Sequence, residues 1–364
     1  IEGQVRKVLL HAPKNGFFYV LDRATGALIS AKPYTQVTWA TGIDPKTGRP
    51  NENPDARYTD KTLAPILPGP AGAHNWQPMS YSPLSGLVYI PVQDAGFLYK
   101  SDEAFQPKKL ANNYGVDLVA AGMPQDPKIK KAILDSVKGS LVAWDPVRQE
   151  QVWKVDRPGP WNGGTLVTGG NLVFEGTAGG NFEAYKADSG EKLWSFAAQT
   201  GVMAGPVSYT SNGRQYIAVL AGWGGVFPLI TGEVSFKSGR VRNVSRLLAF
   251  KIGGKASLPE LTKFDEPSLN PPKTTADAAT VKNGEQLFQR YCAACHGDVA
   301  VGGGVLPDLR YSSTLESDHW FDIVLGGKLK NRGMVSFAKE LSRKDVTDIR
   351  DYVIFRANES MERR

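Results

Sequence analysis

The first two-thirds of the chain repeat a pattern in which a glycine precedes a short run of apolar and aromatic residues. Residues 16–22, 139–145 and 180–186 carry this pattern, and a turn with a second short strand follows each copy. The second and third copies end 41 residues apart, at positions 145 and 186. That spacing is typical of one four-stranded blade of a β-propeller. The first copy ends 123 residues before the second, so we expect a further blade with large insertions between them.

Short strands of β-branched and aromatic residues lie between the copies, and Gly, Asn, Asp or Ser bounds each of them. They occupy residues 86–91, 171–174 and 215–219, and a degenerate fourth copy of the repeat lies at residues 248–251. Only residues 128–137 have a convincing helical pattern in this part of the chain. The sequence therefore predicts an all-β architecture here.

The tryptophans and aspartates of the repeats have an ordinary structural interpretation. Trp153 and Trp194 occupy matching positions in the second strands of two copies, and we expect them to pack one blade against the next. Asp22 and Asp145 end the first strands of their copies, and we expect them to form turns rather than to act in catalysis.

The apolar pattern changes to a helical period after residue 276. The predicted helix over residues 277–291 has one apolar face, which is formed by Val281, Leu287, Phe288 and Tyr291. Gly284 on this helix leaves room for a close helix crossing. Near the end of the chain, Ser342 and Asp345 predict the capped start of a last helix.

These patterns predict three regions. An all-β propeller occupies residues 1–253, a linker occupies residues 254–276, and an all-α domain occupies residues 277–364. The linker is rich in Pro, Lys and Ser, and prolines such as Pro267 and Pro271 make it extended and stiff.

Composition excludes several classes of protein. Hydrophobic residues make up 41% of the 364 residues and charged residues 22%, and 39 glycines with 24 prolines indicate many turns. No apolar run reaches the roughly 18 residues of a membrane-spanning helix, and the longest, over residues 216–230, is broken by glycines and Pro228. The net charge is +7, but no basic cluster is interleaved with aromatic residues, so we do not expect a nucleic-acid partner. The chain begins at Ile1 without a signal peptide, so we expect a processed chain or a fragment.

The strongest chemical signal is a pair of cysteines followed by a histidine. Cys292 and Cys295 are three positions apart, and His296 follows directly. Two thiols at this spacing each add to a vinyl group of one porphyrin, and the adjacent imidazole becomes an axial ligand of the haem iron. A zinc site would need four ligands, but the chain has no other cysteine and only three other histidines: His11, His74 and His319. A thioredoxin-like motif would open a helix after a strand, whereas this motif ends a predicted helix. We therefore predict a covalent haem c.

Two downstream segments resemble those of class I cytochromes c. Residues 306–310 resemble the loop in which a proline carbonyl, here that of Pro307, accepts a hydrogen bond from the ligand histidine. Arg310 is a candidate partner of a haem propionate, with a solvated surface arginine as the alternative. Met334 lies 38 residues after His296 and is the predicted second axial ligand, although Val335 replaces the proline that commonly follows. Met361 lies in a charged tail and is the weaker candidate.

The propeller repeat resembles the tryptophan-docking motif of the eight-bladed propellers that bind pyrroloquinoline quinone (PQQ). With a cytochrome c domain after it, the chain resembles the C-terminal portion of a quinohaemoprotein alcohol dehydrogenase over essentially all of its length. The resemblance implies a periplasmic enzyme that oxidises an alcohol to an aldehyde at PQQ, beside a calcium ion. It also implies that electrons pass singly to haem c. A downstream acceptor would be a blue copper protein, a cytochrome or a quinone-linked oxidase.

The resemblance also implies particular cofactor contacts. Lys14 lies in a segment similar to the one whose lysine bonds the quinone oxygens, and Asn75 with Trp76 resembles the asparagine–tryptophan contact of the family. Trp161 lies in a loop similar to one that touches PQQ. Trp223 resembles a second such turn, for which plain blade packing is an equal alternative.

The resemblance places no catalytic residue within this chain. The family pattern puts the catalytic aspartate and most calcium ligands upstream, so we expect the fragment alone to be inactive as a dehydrogenase. Two alternatives stay open: a non-catalytic propeller scaffold with a fused cytochrome c, and a haem enzyme with a different propeller cofactor, such as a cytochrome cd1-like nitrite reductase. The sequence does not identify the alcohol.

Overall fold

The chain forms two compact units. The computed structural model describes residue 1, residues 3–262 and residues 268–362. The first unit, here called the propeller unit, comprises Ile1–Tyr99, Asp126–Gly224 and Phe236–Leu261. The second, here called the helical unit, comprises Lys100–Gln125, Gly225–Ser235 and Thr262–Arg364.

All the described strands lie in the propeller unit. They are β1 (Val8–His11), β2 (Phe17–Asp22), β3 (Leu28–Pro33), β4 (Ala40–Ile43), β5 (Pro50–Glu52), β6 (Ala64–Ile66), β7 (Ser80–Ser82), β8 (Leu87–Asp94), β9 (Phe97–Tyr99), β10 (Lys138–Asp145), β11 (Glu150–Arg157), β12 (Thr165–Thr168), β13 (Leu172–Gly176), β14 (Asn181–Lys186), β15 (Lys192–Ala197), β16 (Val207–Ser211), β17 (Arg214–Ala221) and β18 (Arg246–Phe250).

Four antiparallel sheets form the blades. Two are four-stranded, in the orders β11-β10-β8-β7 and β12-β13-β14-β15. Two are three-stranded, in the orders β1-β2-β3 and β16-β17-β18. Smaller two-stranded sheets pair β4 with β5 and β6 with β9. The predicted propeller is therefore confirmed, and the insertions expected after the first copy of the repeat include these small sheets.

The repeat corresponds to the same hairpin in three blades. The three copies form β2, β10 and β14, and each pairs with the strand that follows it. In every case the register shifts shortly before the strand ends, between Val20 and Leu21, Ala143 and Trp144, or Ala184 and Tyr185. Such bulges increase local twist, so the sequence repeat encodes a repeated distortion as well as a repeated strand.

The aspartates and tryptophans of the repeat have the predicted structural roles. The Asp22 carboxylate accepts hydrogen bonds from the backbone N–H groups of the turn that follows, at 2.9 and 3.0 Å. The Trp153 ring lies 5.6 Å from Tyr89, and its Nε1 donates to the carbonyl of Ala187 in the next blade, at 3.0 Å. Trp194 lies 5.2 Å from Phe250 of the last blade. Both tryptophans therefore join neighbouring blades.

The α-helices are α1 (Leu118–Ala121), α2 (Pro127–Ser136), α3 (Phe227–Ile230), α4 (Ala278–Tyr291), α5 (Ala293–His296), α6 (His319–Val324) and α7 (Arg343–Glu362). Short 3-10 helices cover Pro54–Ala56, Gly232–Phe236, Asp298–Ala300, Leu309–Tyr311 and Lys330–Arg332. The one helix predicted in the propeller region corresponds to α2. Among the described residues, none of these helices combines the length and the apolar character needed to cross a membrane.

Helices α4 and α7 cross at a glycine, as predicted. A Cβ atom at Gly284 would lie 2.0 Å from the carbonyl oxygen of Asp348, so no larger residue fits without separating the helices. The Asp277 carboxylate caps α4 by accepting the Thr280 N–H at 2.8 Å. Ser342 and Asp345 form the predicted cap of α7, with Ser342 N–H donating to the Asp345 carboxylate at 2.8 Å and Asp345 N–H donating to Ser342 Oγ at 3.1 Å.

The helical unit includes two segments that the predicted boundaries assign to the propeller, residues 100–125 and residues 225–235. Asn112 donates from its backbone N–H to the carbonyl of Arg290 at 2.8 Å, and from Nδ2 to the carbonyl of Gln289 at 3.0 Å. It thereby satisfies two carbonyls in the last turn of α4, which have no partner within the helix. Met123 N–H donates to the half-buried Asp298 carboxylate at 2.8 Å. Residues 100–125 thus fold with the helical unit, and residues 263–267 of the predicted linker, including Pro267, lie outside the described residues.

Candidate functional site

The predicted haem motif lies at the junction of α4 and α5. Cys292 ends α4 and precedes α5, so Cys295 follows one helical turn later, on the same side. Cys292 is buried and Cys295 is exposed, and neither forms a disulfide. Burial, with a smaller contribution from the Cys295 thiol, raises the pKa of the Cys292 thiol to about 12. The two thiols are therefore free and lie one helical turn apart, which fits thioether formation at one porphyrin.

His296 is held in the tautomer that a metal ligand requires. Its Nδ1 donates to the carbonyl oxygen of Pro307 at 2.9 Å, so Nε2 carries the lone pair. Burial lowers the pKa of His296, although the Pro307 carbonyl and the Asp308 carboxylate oppose the shift. The neutral form is the one that binds iron. The predicted contact with Pro307 is thus present, and these residues fit a haem.

The Pro307 loop is braced by its own ion pair. Arg310 donates from Nε to Asp308 Oδ1 at 3.0 Å and from Nη2 to Oδ2 at 2.7 Å. It also donates from Nη1 to Ser360 Oγ at 2.9 Å. Arg310 is 8% exposed, so the solvated-surface interpretation is wrong. Because all three of these nitrogens donate within the protein, the structure favours a bracing role for Arg310 over the propionate contact.

Met334 lies in a tight loop beside the core of the helical unit. Gly333 has a φ of 94°, a left-handed conformation that turns the chain just before the methionine. Met334 is half-buried and packs against the core cluster that also contains Cys292 and Phe337. Met361 is 46% exposed near the end of α7. The packing supports Met334 rather than Met361 as the second ligand, and that assignment stays a prediction.

Three of the predicted PQQ contacts lie on two adjoining loops of the propeller unit. Lys14 Nζ donates to the carbonyl of Pro70 at 3.1 Å, and the Ala73 N–H donates to the Lys14 carbonyl at 2.9 Å. Gly72 has a φ of 82°, and a Cβ there would lie 2.5 Å from Lys14 Cγ. The lysine stem therefore crosses directly over Gly72, in the segment that carries Asn75 and Trp76.

Asn75 and Trp76 form one turn. Asn75 Nδ2 donates to the carbonyl of Ala71 at 2.8 Å, and its Oδ1 accepts the N–H of Trp76 at 2.8 Å. The Trp76 ring is 49% exposed and lies 6.3 Å from the ring of Trp161, near an edge-to-face arrangement. His74, beside them, lies with each ring nitrogen 2.7 Å from a backbone carbonyl oxygen, so its contacts are structural. The structure thus joins Lys14, Asn75, Trp76 and Trp161 in one neighbourhood.

Trp223 lies in the last blade, and the contacts described for it are structural. Its backbone N–H donates to Asn243 Oδ1 at 2.9 Å. A Cβ at Gly201 would lie 3.0 Å from the indole ring, so the ring packs tightly on that glycine. These contacts agree with blade packing, and the PQQ contact predicted for Trp223 stays a prediction.

The structure contains a buried charge cluster that the sequence did not indicate, and it begins at Arg157, four residues before Trp161. Arg157 pairs with Glu175 and, at 3.1 Å, with Glu183, and Lys192 reaches Glu183 at 3.2 Å. Burial raises the pKa of Glu175, although the Arg157 guanidinium opposes the shift. Burial also acts to raise the pKa of Glu183, but the Tyr185 hydroxyl, Arg157 and Lys192 together lower it. The signal that could have revealed this cluster was the position of Glu175 and Glu183 beside apolar residues in β13 and β14.

Comparisons with known proteins agree with this arrangement. Residues 53–217 match a family model described as the β-propeller domain of glucose, ethanol and alcohol dehydrogenases. Residues 279–353 match a model described as subunit III of cbb3-type cytochrome c oxidase. The dehydrogenase subunit of the quinone alcohol dehydrogenase of Komagataeibacter europaeus is 47% identical over 369 residues, which cover 100% of this chain and 50% of that protein. The chain belongs to the quinohaemoprotein alcohol dehydrogenase family.

Other members support the assignment to the quinohaemoprotein alcohol dehydrogenases. The enzyme named ADH IIB of Pseudomonas putida is 46% identical over 99% of this chain and 51% of its own length. The solved structure of ADHIIG from Pseudomonas putida HK5 has a TM-score of 0.92 and 42% identity, and the match covers 100% of this chain and 53% of that one. The chain thus spans about half the length of the curated relatives it matches. The family and the fold predicted from the sequence are confirmed, and these names favour an enzyme over a scaffold.

Proposed function

We propose that the protein to which this chain belongs is a periplasmic alcohol dehydrogenase that oxidises an alcohol to an aldehyde at PQQ and transfers electrons singly to haem c. The proposal rests on one observation: a PQQ-type propeller shares a polypeptide with the motif of Cys292, Cys295 and His296. In this motif His296 donates a hydrogen bond to the carbonyl of Pro307. When bound, PQQ supplies the two-electron acceptor for the alcohol and haem supplies a one-electron carrier. A blue copper protein, a cytochrome or a quinone-linked oxidase would accept the electrons next.

The residues of the helical unit would hold the haem. Cys292 and Cys295 would attach it through thioethers, while His296 Nε2 and the Met334 thioether would bind the iron. The bond from His296 Nδ1 to Pro307 orients the imidazole, and such bonds tune the basicity of a ligand. A neutral thioether favours ferrous iron, so Met334 would raise the reduction potential and make the site an electron acceptor.

The residues of the propeller unit would bind and orient PQQ. Lys14 presents a fixed cation, which would stabilise negative charge that develops on quinone oxygens. Asn75 uses one amide N–H for Ala71, so its second N–H is available to a cofactor oxygen. Trp76 and Trp161 would form an aromatic boundary of the site, and Trp223 would add a further contact.

We infer that other parts of the protein supply the calcium ion's ligands and the general base. Within residue 1, residues 3–262 and residues 268–362, no group of three or more His, Cys, Asp or Glu side chains could hold a metal ion. A base that accepts the alcohol proton and a cation that polarises the quinone are both needed for the reaction.

The proposal is tested on the complete native polypeptide loaded with PQQ and calcium. Mixing with ethanol or butanol in a stopped-flow spectrophotometer is expected to reduce the haem, and the signal is expected to disappear when PQQ is omitted. A protein that carries haem c and binds PQQ, but whose haem stays oxidised with every alcohol tested, would contradict the proposed reaction. The isolated 364-residue chain is the matched control, and we expect no alcohol-dependent reduction from it.

A further inference from the structure

The loop that carries Trp161 is held at both ends by one buried ion pair. The loop covers residues 158–164, between the last residue of β11, Arg157, and the first residue of β12, Thr165. In the sheet, Thr165 lies directly opposite Glu175 of β13. Arg157 donates from Nε to Glu175 Oε2 at 3.1 Å, and its Nη2 donates to the same oxygen. The ion pair therefore links β11, which precedes the loop, to β13, which pairs with the strand that follows the loop.

This ion pair is buried from solvent and lies between two blades. The side chains of Arg157 and Glu175 are 8% and 0% exposed. Arg157 Nη1 lies 3.1 Å from Glu183 of the same neighbouring blade, and its guanidinium carbon lies 5.3 Å from the centre of the Tyr185 ring. One guanidinium thus contacts β13 and β14 at once, and its planar fork fixes its position relative to both strands.

The loop itself is closely fitted to its surroundings. Gly163 N–H donates to the Gly176 carbonyl at 2.8 Å, and Asn162 Oδ1 accepts the Ala178 N–H at 3.2 Å. A Cβ at Gly139, which lies opposite Arg157 in the sheet, would be 2.4 Å from the Gly159 carbonyl oxygen. Trp161, at the centre of the loop, is 2% exposed and lies beside Trp76. A small displacement of β11 relative to β13 would therefore move Trp161.

Stability alone does not account for this ion pair. Burying charges removes them from water, and well-packed apolar residues often stabilise a core equally well. Glu175 Oε1 is also buried without a hydrogen-bond partner among the described residues, so the pair is not arranged for maximal stabilisation. What it provides is a fixed geometry at the base of the loop.

We propose that Arg157 and Glu175 are positioning residues that hold the Trp161 loop in the geometry required to bind PQQ. The inference rests on the proposed function, because that function makes Trp161 and Trp76 a boundary of the PQQ site. Neither Arg157 nor Glu175 contacts the cofactor in this proposal. They act through the loop, so their loss affects cofactor affinity and loop mobility as well as stability.

The test uses Arg157→Met, Arg157→Lys and Glu175→Gln in the complete native polypeptide. Glu175→Gln keeps the shape and removes the charge, and Arg157→Lys keeps the charge and loses the fork, so these two variants keep the proposal testable if Arg157→Met does not fold. Arg148→Met is the matched control, because Arg148 forms an exposed ion pair with Asp145 in the same blade. The measurements are PQQ affinity by quenching of tryptophan fluorescence, amide exchange of residues 158–164, and the thermal unfolding midpoint.

We expect Arg157→Met and Glu175→Gln to weaken PQQ binding on the order of tenfold to a hundredfold, since small misplacements of a site have effects of this size. Amide exchange in the loop is expected to rise, while Arg148→Met matches the parent in both measurements. Arg157→Lys should give an intermediate affinity. A lower unfolding midpoint with unchanged PQQ affinity and unchanged loop exchange would overturn the proposal, because it would show a purely structural pair. If the parent protein binds no PQQ, the proposed function fails, and the exchange measurement still decides whether the pair holds the loop.

Discussion

The Nδ1 atom of His296 donates a hydrogen bond to the carbonyl oxygen of Pro307 across 2.9 Å, although the two residues lie eleven positions apart in the chain. This hydrogen bond fixes the orientation of the imidazole and leaves the lone pair of Nε2 available to a metal ion. Because Asp308 and Arg310 brace the segment that carries Pro307, the position of the imidazole depends on a loop that is itself held by an ion pair.

Met334→Ala is expected to abolish the sulfur-to-iron charge-transfer absorbance of the oxidised haem and to lower its reduction potential. The reason is that removing a neutral thioether favours ferric iron. Visible spectroscopy and a redox titration would measure both effects. Met361→Ala, at an exposed position on α7, is the control and should match the parent. If the absorbance were lost in Met361→Ala instead, the ligand assignment would be wrong.

Lys14→Ala is expected to slow PQQ reduction in the complete enzyme with little effect on thermal stability. The Lys14 side chain is exposed and makes one described hydrogen bond, to the Pro70 carbonyl, so folding depends little on it. Its loss removes the cation that would stabilise charge on the quinone. Stopped-flow absorbance of PQQ measures the rate, and Lys46→Ala in an exposed turn is the control. Equal rates in the parent and Lys14→Ala would refute the role.

Asn112→Ala is expected to destabilise the helical unit by about 1 kcal/mol, the usual net contribution of one hydrogen bond. The substitution removes the donor to the Gln289 carbonyl but leaves the backbone bond to Arg290 in place. The neighbouring Asn113→Ala is a matched control, since Asn113 bonds within its own exposed loop, to Lys108 and Ala111. Denaturant unfolding followed at the haem would compare them. A midpoint for Asn112→Ala equal to that of the parent would show that the cap contributes nothing.

Asp277→Asn is expected to lower the unfolding midpoint of the helical unit near neutral pH but not in acid. The Thr280 N–H bond lowers the pKa of the Asp277 carboxyl from its ordinary value of 3.8, so the ionised carboxylate stabilises the folded state. That contribution is present above the ordinary value and is lost as the pH falls through the lowered one. Asparagine keeps a capping oxygen without the charge. Melting curves across this range would measure the difference, with the exposed Glu316→Gln as the control. A difference that grows in acid would contradict the sign.

Local patterns were readable from the sequence, and long-range contacts were not. The repeat predicted β2, β10 and β14 because each copy contains its strand and its turn within a few residues. The motif of Cys292, Cys295 and His296 was equally local. By contrast, Asn112 contacts a helix that begins more than 160 residues later, and no pattern near either segment records that contact. The ion pair of Arg157 and Glu175 was missed for a related reason, because the pairing depends on how two blades face each other.

The position of Asn112 also limits how this protein can be divided experimentally. An electrochemist who expresses only residues 262–364 as a small electron carrier would omit the donors that meet the carbonyls of Gln289 and Arg290. The N–H of Met123, which donates to the half-buried Asp298, would be missing as well. The helical unit is assembled from segments that are far apart in the sequence. A shortened version that keeps its native properties would therefore have to splice residues 100–125 back onto the helical segment, or replace these donors with new ones.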